Sequence, residues 1–221
     1  MSRKSIVFCD ILQSTFVTQS IDKKLISRIR GKGMGSVWTT ADFADLGERT
    51  AIAKALSRHV KAGDIKRIGR GLYTYPQTHP VLGELTPSIE TIVDALKGRD
   101  QVRLLPTGAY AANLLHLSEQ VPARIVFLSD GPNRKVQVGK LEIELKHVAP
   151  KRVAAADRMS GLIVEALRYM GKDSVSERSV ATIAKSIDER QAKQLISDLR
   201  LAPAWMRPHL RAIAQTKGTV E

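Results

Sequence analysis

The sequence predicts an α+β fold: an N-terminal winged helix-turn-helix unit, a mixed α/β middle with a small sheet, and a helical C-terminal part. Three observations predict it. In the first eighty residues, apolar positions recur at helical spacing in segments stopped by glycine, and the series ends in two short β-prone runs. Between residues 101 and 148, short apolar or alternating runs bounded by Pro and Gly read as strands, with one helical pattern among them. From Pro150 onward only helical stripes remain. Apolar residues make up 43% of the 221, enough for a real core, while aromatics at 5% argue against an all-β sandwich or a platform that stacks many bases.

In chain order, DKKLISRIRGKG places Leu25, Ile26 and Ile29 on one helical stripe opposite Lys and Arg, and Gly31, Gly33 and Gly35 stop it. Val37 and Trp38 form a strand-like segment. Thr39 and Asp42 have capping-box-like spacing for a short helix through Phe43 and Leu46, closed by Gly47. The next helix runs from about Glu48 to Ala62 and ends at Gly63. Ile52, Ala55, Leu56, His59 and Val60 share its apolar face; Thr50, Lys54, Ser57, Arg58 and Lys61 lie opposite. Two short helices joined by a Gly-containing turn, the second with a basic outer face, form a helix-turn-helix pattern. In IKRIGRGLYTYP, Ile65–Ile68 and Leu72–Tyr75 flank Gly69-Arg70-Gly71, which reads as a hairpin, or wing, with a cation at its tip.

The charge coincides with this unit. Lys plus Arg number 35 against 22 acids, a net charge of +13. Residues 1–80 hold 14 basic and 6 acidic side chains, residues 81–150 hold 8 and 8, and residues 151–221 hold 13 and 8. An electroneutral middle therefore separates two basic ends, and a polyanion is the first partner to consider. On this reading Lys54, Ser57 and Arg58 enter a major groove, Thr50 and Lys61 touch its edges, and Arg49 and Arg70 meet the backbone or minor groove. Lys66 and Arg67 flank the wing and add phosphate contacts.

QTHPVLGELTP, residues 77–87, reads as an interdomain linker, dividing a DNA-binding domain (1–80) from a second domain (81–221). Thr86 and Pro87 suit the start of a helix through Ile89, Ile92, Val93 and Leu96, stopped by Gly98. Gln101 to Leu105 reads as a strand ended by Pro106, and Thr107 caps a helix over GAYAANLLHL. ARIVFLSD, KVQV and LEIELKHV read as strands, the last two a hairpin around Gly139-Lys140. Leu162, Ile163, Ala166, Leu167 and Met170 form a helical stripe, as do Ala192, Leu195, Ile196 and Leu199. Trp205, Leu210 and Ile213 suggest a last helix.

SVWTTADFADLGERTAIAKALSRHVKAGDIKRIGRGLYTYP, continued by TGAYAANLLHLSEQVPARIVFLSDG, resembles the AbiEi-type antitoxins, the transcriptional-repressor half of type IV toxin–antitoxin pairs in abortive phage infection. The resemblance covers roughly residues 20–150; residues 1–19 look unlike that family's start and read as an extension or an upstream start-codon choice. It implies an autorepressor that binds double-stranded DNA repeats in its own promoter, with antitoxic activity in the C-terminal domain. It also implies a co-encoded toxin of nucleotidyltransferase-like fold, opposed without requiring a stable complex. Alternatives are an antitoxin that binds its toxin directly, a winged-helix protein acting on RNA, and a stand-alone transcription factor sensing a small ligand.

Other chemistry finds little support. GKGMGS at 31–36 lacks the GK[ST] ending of a phosphate loop and follows a helix rather than a strand. His59, His79, His116, His147 and His209 show no metal spacing, and His59 reads as a hydrogen-bonded core histidine. Tyr110, Asn113 and His116 share a helix that could bind something polar, though packing on the sheet is the preferred reading. Glu142 and Glu144 share a strand face and read as solvated surface. The lone Cys9 excludes an intrachain disulfide and has only Arg3 and Lys4 as basic neighbours in sequence. No catalytic residue, metal or cofactor is expected. No apolar run nears the roughly 20 residues that cross a bilayer, so a cytoplasmic, non-enzymatic protein is the expectation.

Overall fold

The computed structural model describes residues 20–120 and 122–218; the expected extension at 1–19, with Cys9, lies outside the described residues. The fold is α+β, built from helices and three small sheets. Helix α1 (Ile21–Lys32) starts at Ser20, whose hydroxyl accepts the Lys23 N–H, and buries Leu25 and Ile29. Strand β1 (Val37–Thr39) follows. The expected short helix over Thr40–Leu46 is a 3-10 segment, opened by the Asp42 carboxylate accepting from both the Thr39 N–H (2.5 Å) and its hydroxyl (2.8 Å). Gly47 makes the turn into α2 (Arg49–Ala62): its φ is 152°, and a Cβ there would lie 2.9 Å from Ile21 Cδ1. Strands β2 (Lys66–Gly69) and β3 (Leu72–Thr74) form the hairpin expected around Arg70, and β1 pairs with β3 to give a sheet of order β1-β3-β2.

Leu25, Ile29, Trp38, Phe43, Ile52, Ala55, Leu56 and Ile65 close one core. Trp38 and Phe43 stack at 5.2 Å between centroids, with the Lys32 ammonium 4.7 Å from the Trp38 ring centre and Arg28 in a bidentate bond to Asp45 at 2.7 Å. Burying these aromatics fixes the angle between α1, the 3-10 segment and α2, and so the direction in which the outer face of α2 points.

Residues 77–87, expected as a linker, hold a hairpin of β4 (Gln77–His79) and β5 (Gly83–Leu85), and the expected boundary at 80 falls in its turn. Helix α3 (Ile89–Asp100) starts two residues later than the sequence suggests: Ser88 rather than Thr86 caps it, accepting the Thr91 N–H at 3.2 Å. It also runs through Gly98, ending where Gln101 takes a left-handed φ of 52°.

Strands β6 (Leu104–Thr107), β7 (Arg124–Ser129), β8 (Arg134–Val138) and β9 (Leu141–His147) form a mixed sheet of order β6-β7-β9-β8, in which β7 and β9 run parallel. Pro106 sits within β6 rather than ending it, tolerated because β6 is an edge strand. Helix α4 (Gly108–Leu114) follows β6, but the Thr107 hydroxyl does not cap it; it donates to Glu165 at 2.7 Å. The core of this sheet takes in Val37 and Leu72 together with Ile92, Leu96, Phe127 and Ile143, so α3 packs against the first sheet as well as the second.

The C-terminal helices are α5 (Met159–Met170), α6 (Glu177–Lys185), α7 (Glu189–Ser197) and α8 (Arg207–Gly218). Three carry expected stripes, although in that of α7 Ile196 is exposed at 44% and Leu199 lies beyond the helix in a 3-10 turn; α6 lacked a long apolar repeat and buries only Ile183 and Ala184. They pack on α4 through Ala111 and Leu115. Among the described residues no helix is long and apolar enough to cross a membrane.

Candidate nucleic-acid interface

Helix α2 buries Ile52, Ala55 and Leu56, which leaves Arg49, Thr50, Lys54, Ser57, Arg58 and Lys61 exposed on the other side. The sequence therefore identified which residues face outward. The structure sorts them further, by what each head group touches.

Arg58 is committed. Its guanidinium lies 2.6 and 2.8 Å from the two Asp22 carboxylate oxygens, with Nε 3.1 Å from Oδ1, tying α2 to the first turn of α1. The Arg58 hydrogen bond holds the Asp22 carboxyl below its usual range, and Asp22 in turn raises Arg58. Lys66 bonds the Glu84 carboxylate on β5 at 2.8 Å, and Arg67 folds back to the Gly69 carbonyl at 3.3 Å. Among the described residues, Arg49, Lys54, Lys61 and Arg70 have no acidic side chain within 4 Å, so their charge is available to a partner.

His59 is the expected core histidine with one refinement. Nδ1 is 2.8 Å from Asp64 Oδ2, whereas the buried Nε2 has no hydrogen-bond partner among the described residues and lies 3.8 Å from Asp22 Oδ1. Imidazole, Asp22 and Arg58 thus form one junction between α1 and α2.

Sequence reasoning missed a cleft of about 1160 Å³ between the amino end of α2, the β2–β3 tip and the β8 edge of the second sheet. Arg49 and Arg70 line it, joined by Arg99 from α3 and by Arg134 and Lys135 from β8. Glu48 and Asp100 are its acids. Asp100 is neutralised in place: it accepts from Arg99 at 2.9 and 3.0 Å and from Arg134 at 2.8 and 3.0 Å. Burial pushes its carboxyl upward, but these two guanidinium groups outweigh it and hold it below the usual range. The Arg-Lys pair at 134–135 was visible in the sequence, but the middle segment is electroneutral overall, and that average hid it. The two sheets approach so closely here that a Cβ on Gly69 would sit 3.1 Å from the Gln137 carbonyl oxygen.

The remaining candidates disperse. Tyr110 is buried edge-on against Phe127 at 5.8 Å, its phenol pushed up to about 12 by burial and by Glu90. Asn113 donates to the Ser118 carbonyl, and His116 is exposed, so the three share no site. Glu142 and Glu144 are not merely solvated: Arg124 on neighbouring β7 bonds both. A second buried polar cluster was unforeseen. Glu165, 2% exposed, accepts from Thr107 and from Arg152 and Arg168 at 3.2–3.3 Å, while Asp198 holds Arg158 at 2.6 Å and Ser160 at 2.5 Å. Every one of these carboxylates is paired, which suits the anchoring of residues 149–158 onto α5.

Residues 24–195 match the model of a family described as a family of unknown function (DUF6088). No curated protein matches the chain.

Proposed function

Starting from a chain that belongs to the DUF6088 family, we propose that it is a sequence-specific double-stranded DNA-binding protein built on an N-terminal winged helix. The observation that carries this reading is the exposed face of α2, where Lys54 and Lys61 stand on either side of Ser57 without acidic partners among the described residues, next to a hairpin tipped by Arg70. The element order supports it: helix, strand, short helix, helix, then a hairpin whose sheet the first strand joins. In such a unit α2 enters the major groove, where lysine ammonium groups reach guanine O6/N7 and the hydroxyls of Thr50 and Ser57 bond base edges or phosphates. Arg70 reaches the flanking backbone or minor groove.

The sequence resemblance of residues 20–150 to AbiEi-type antitoxins extends the proposal. The chain is an autorepressor and antitoxin of a type IV toxin–antitoxin operon, with residues 1–80 on promoter DNA and residues 81–221 opposing a nucleotidyltransferase-like toxin. On this reading it acts in the cytoplasm, by binding rather than by catalysis. The test is a titration of the full chain against its own upstream DNA and an unrelated duplex, repeated with Lys54→Ala/Lys61→Ala. Binding that prefers the upstream duplex and is lost in a double variant of unchanged melting temperature supports the proposal. Equal affinity of wild type for both duplexes, or full affinity in the folded variant, refutes it.

A further inference from the structure

We infer that the middle sheet is itself part of the nucleic-acid surface: Arg134 and Lys135 of β8 hold a phosphodiester strand in the cleft that β8 shares with Arg49 and Arg70. The inference rests on the DNA-binding reading and extends it to residues outside the winged helix.

Charge comes first. The cleft brings five cations from four elements around two acids, and one of those acids, Asp100, is already shared by Arg99 and Arg134. Arg49, Arg70 and Lys135 are exposed; the Lys135 side chain is 63% accessible, with Glu142 at 3.6 Å and Glu144 opposite it on β9 as its acidic neighbours among the described residues. Arg134 is more constrained. Its guanidinium is anchored through Nη1 to Asp100 while its side chain remains 38% exposed, an arrangement that presets a fork-shaped donor at low entropic cost.

The amino end of α2 opens onto the same space. Glu48, at its N-cap, makes no side-chain bond to the first turn, so N–H groups and the positive end of the helix dipole face the cleft with the guanidinium groups. The arrangement of charge then favours a polymer. Here the cleft holds about 1160 Å³ and a row of cations running from α2 to β8. A duplex seated on the outer face of α2 with its flank against Arg70 carries its backbone past this opening, where the β8 cations complete the row. The contacts read charge and not bases, so they raise affinity for every duplex alike.

The experiment measures binding of the full chain to upstream and unrelated duplexes by fluorescence anisotropy between 50 and 200 mM salt. Wild type is compared with Lys135→Gln, Lys135→Glu and Arg134→Gln, and with Lys185→Gln on α6 as a control outside the cleft. Loss of one phosphate contact lowers the log–log salt slope by about 0.9. Lys135→Gln should therefore weaken both duplexes by the same factor and flatten the slope by that amount, Lys135→Glu should do so more strongly, and Lys185→Gln should do neither. Melting temperatures identify any variant that loses its fold; because Lys135 is exposed, Lys135→Gln keeps the test open if Arg134→Gln unfolds. Wild-type binding with unchanged slope in both Lys135 variants overturns the inference and leaves the DNA-binding reading intact. Absence of DNA binding by wild type itself removes the DNA-binding reading and this inference with it. A Lys135-dependent complex with poly-glutamate, combined with Lys135-independent DNA binding, would assign the cleft to acidic protein instead.

Discussion

On the proposed DNA-binding reading, replacing Asp22 by Asn should strengthen binding, although Asp22 lies on α1 and not on the outer face of α2. Arg58 stands among the outward residues of α2, yet its guanidinium is bound to Asp22 at 2.6–3.1 Å, and 59% of its side chain is exposed. Asn keeps the size of Asp and removes the charge, raising the net charge from +13 to +14 and releasing Arg58. One further phosphate neutralised adds about 0.9 to the log–log salt slope. Over a fourfold rise in salt, from 50 to 200 mM, that slope corresponds to a roughly 3.5-fold greater loss of affinity than wild type shows, from a higher starting value. Anisotropy titrations at four salt concentrations resolve such a difference. A double-mutant cycle identifies the mediator: in an Arg58→Ala background, Asp22→Asn should change nothing. The melting temperature should fall slightly, since an ion pair and a favourable charge in the first turn of α1 are both lost, so tighter binding cannot arise from a more stable fold. An unchanged slope in Asp22→Asn would show that Arg58 makes no phosphate contact when free. A shallower slope would show that the Asp22–Arg58 pair is needed to hold α2 in its binding position.

Three other outcomes are expected. Arg70→Ala should flatten the salt slope by about 0.9 without altering the melting temperature, since Arg70 is exposed and has no acidic partner among the described residues; an unaltered slope removes the hairpin tip from the contact surface. In the buried cluster of α5, Arg152→Met with Arg168→Met should cost about 3 kcal/mol by stranding the Glu165 carboxylate with only Thr107 as donor, whereas Glu165→Gln should cost about 1 kcal/mol because both arginines stay wet; denaturant midpoints that rank the other way contradict this account. Acid should destabilise the chain. Asp22, Asp100 and Asp198, with Asp130, which accepts from the Arg103 backbone N–H at 2.9 Å and its guanidinium at 2.8 Å, are all held below the usual carboxylate range, so each contributes stability that is complete above its unfolded value and is lost as pH falls through the lowered one. Stability from these groups should be flat from pH 8 to 5 and decline below about pH 4, less steeply in Asp198→Asn; a decline beginning above pH 5 would point to other groups.

Much of the fold was legible because it is local. Leu25 and Ile29, or Ile52, Ala55 and Leu56, repeat at helical spacing, and a chain segment can bury such a stripe in only one way. Likewise, Gly69-Arg70-Gly71 between β-prone runs demands a hairpin, and the alternation in LEIELKHV fits a strand with one buried face. Failures occurred where a competing hydrogen-bond partner was stronger, near in the chain or far. Ser88 lies one residue before the helix, in reach of the Thr91 N–H, and displaced Thr86 as cap; Thr107 gave its hydroxyl to Glu165, 58 residues away, because a buried carboxylate needs donors.

By itself, then, the sequence determined the order of most elements, though not the β4–β5 hairpin or α6, together with the outward face of α2 and the concentration of positive charge in the first eighty residues. Tertiary structure alone decided which of those charges are free. Asp22 and Glu84 reach Arg58 and Lys66 only because α1 crosses α2 and β5 returns beside β2. It also decided that Arg134 and Lys135 stand opposite Arg70, some 65 residues back along the chain. The physical reason is the range of the forces. Periodicity records what each residue does with neighbours one turn or one pleat away, whereas an ion pair or a cleft depends on a distance between elements, which packing of the whole core sets.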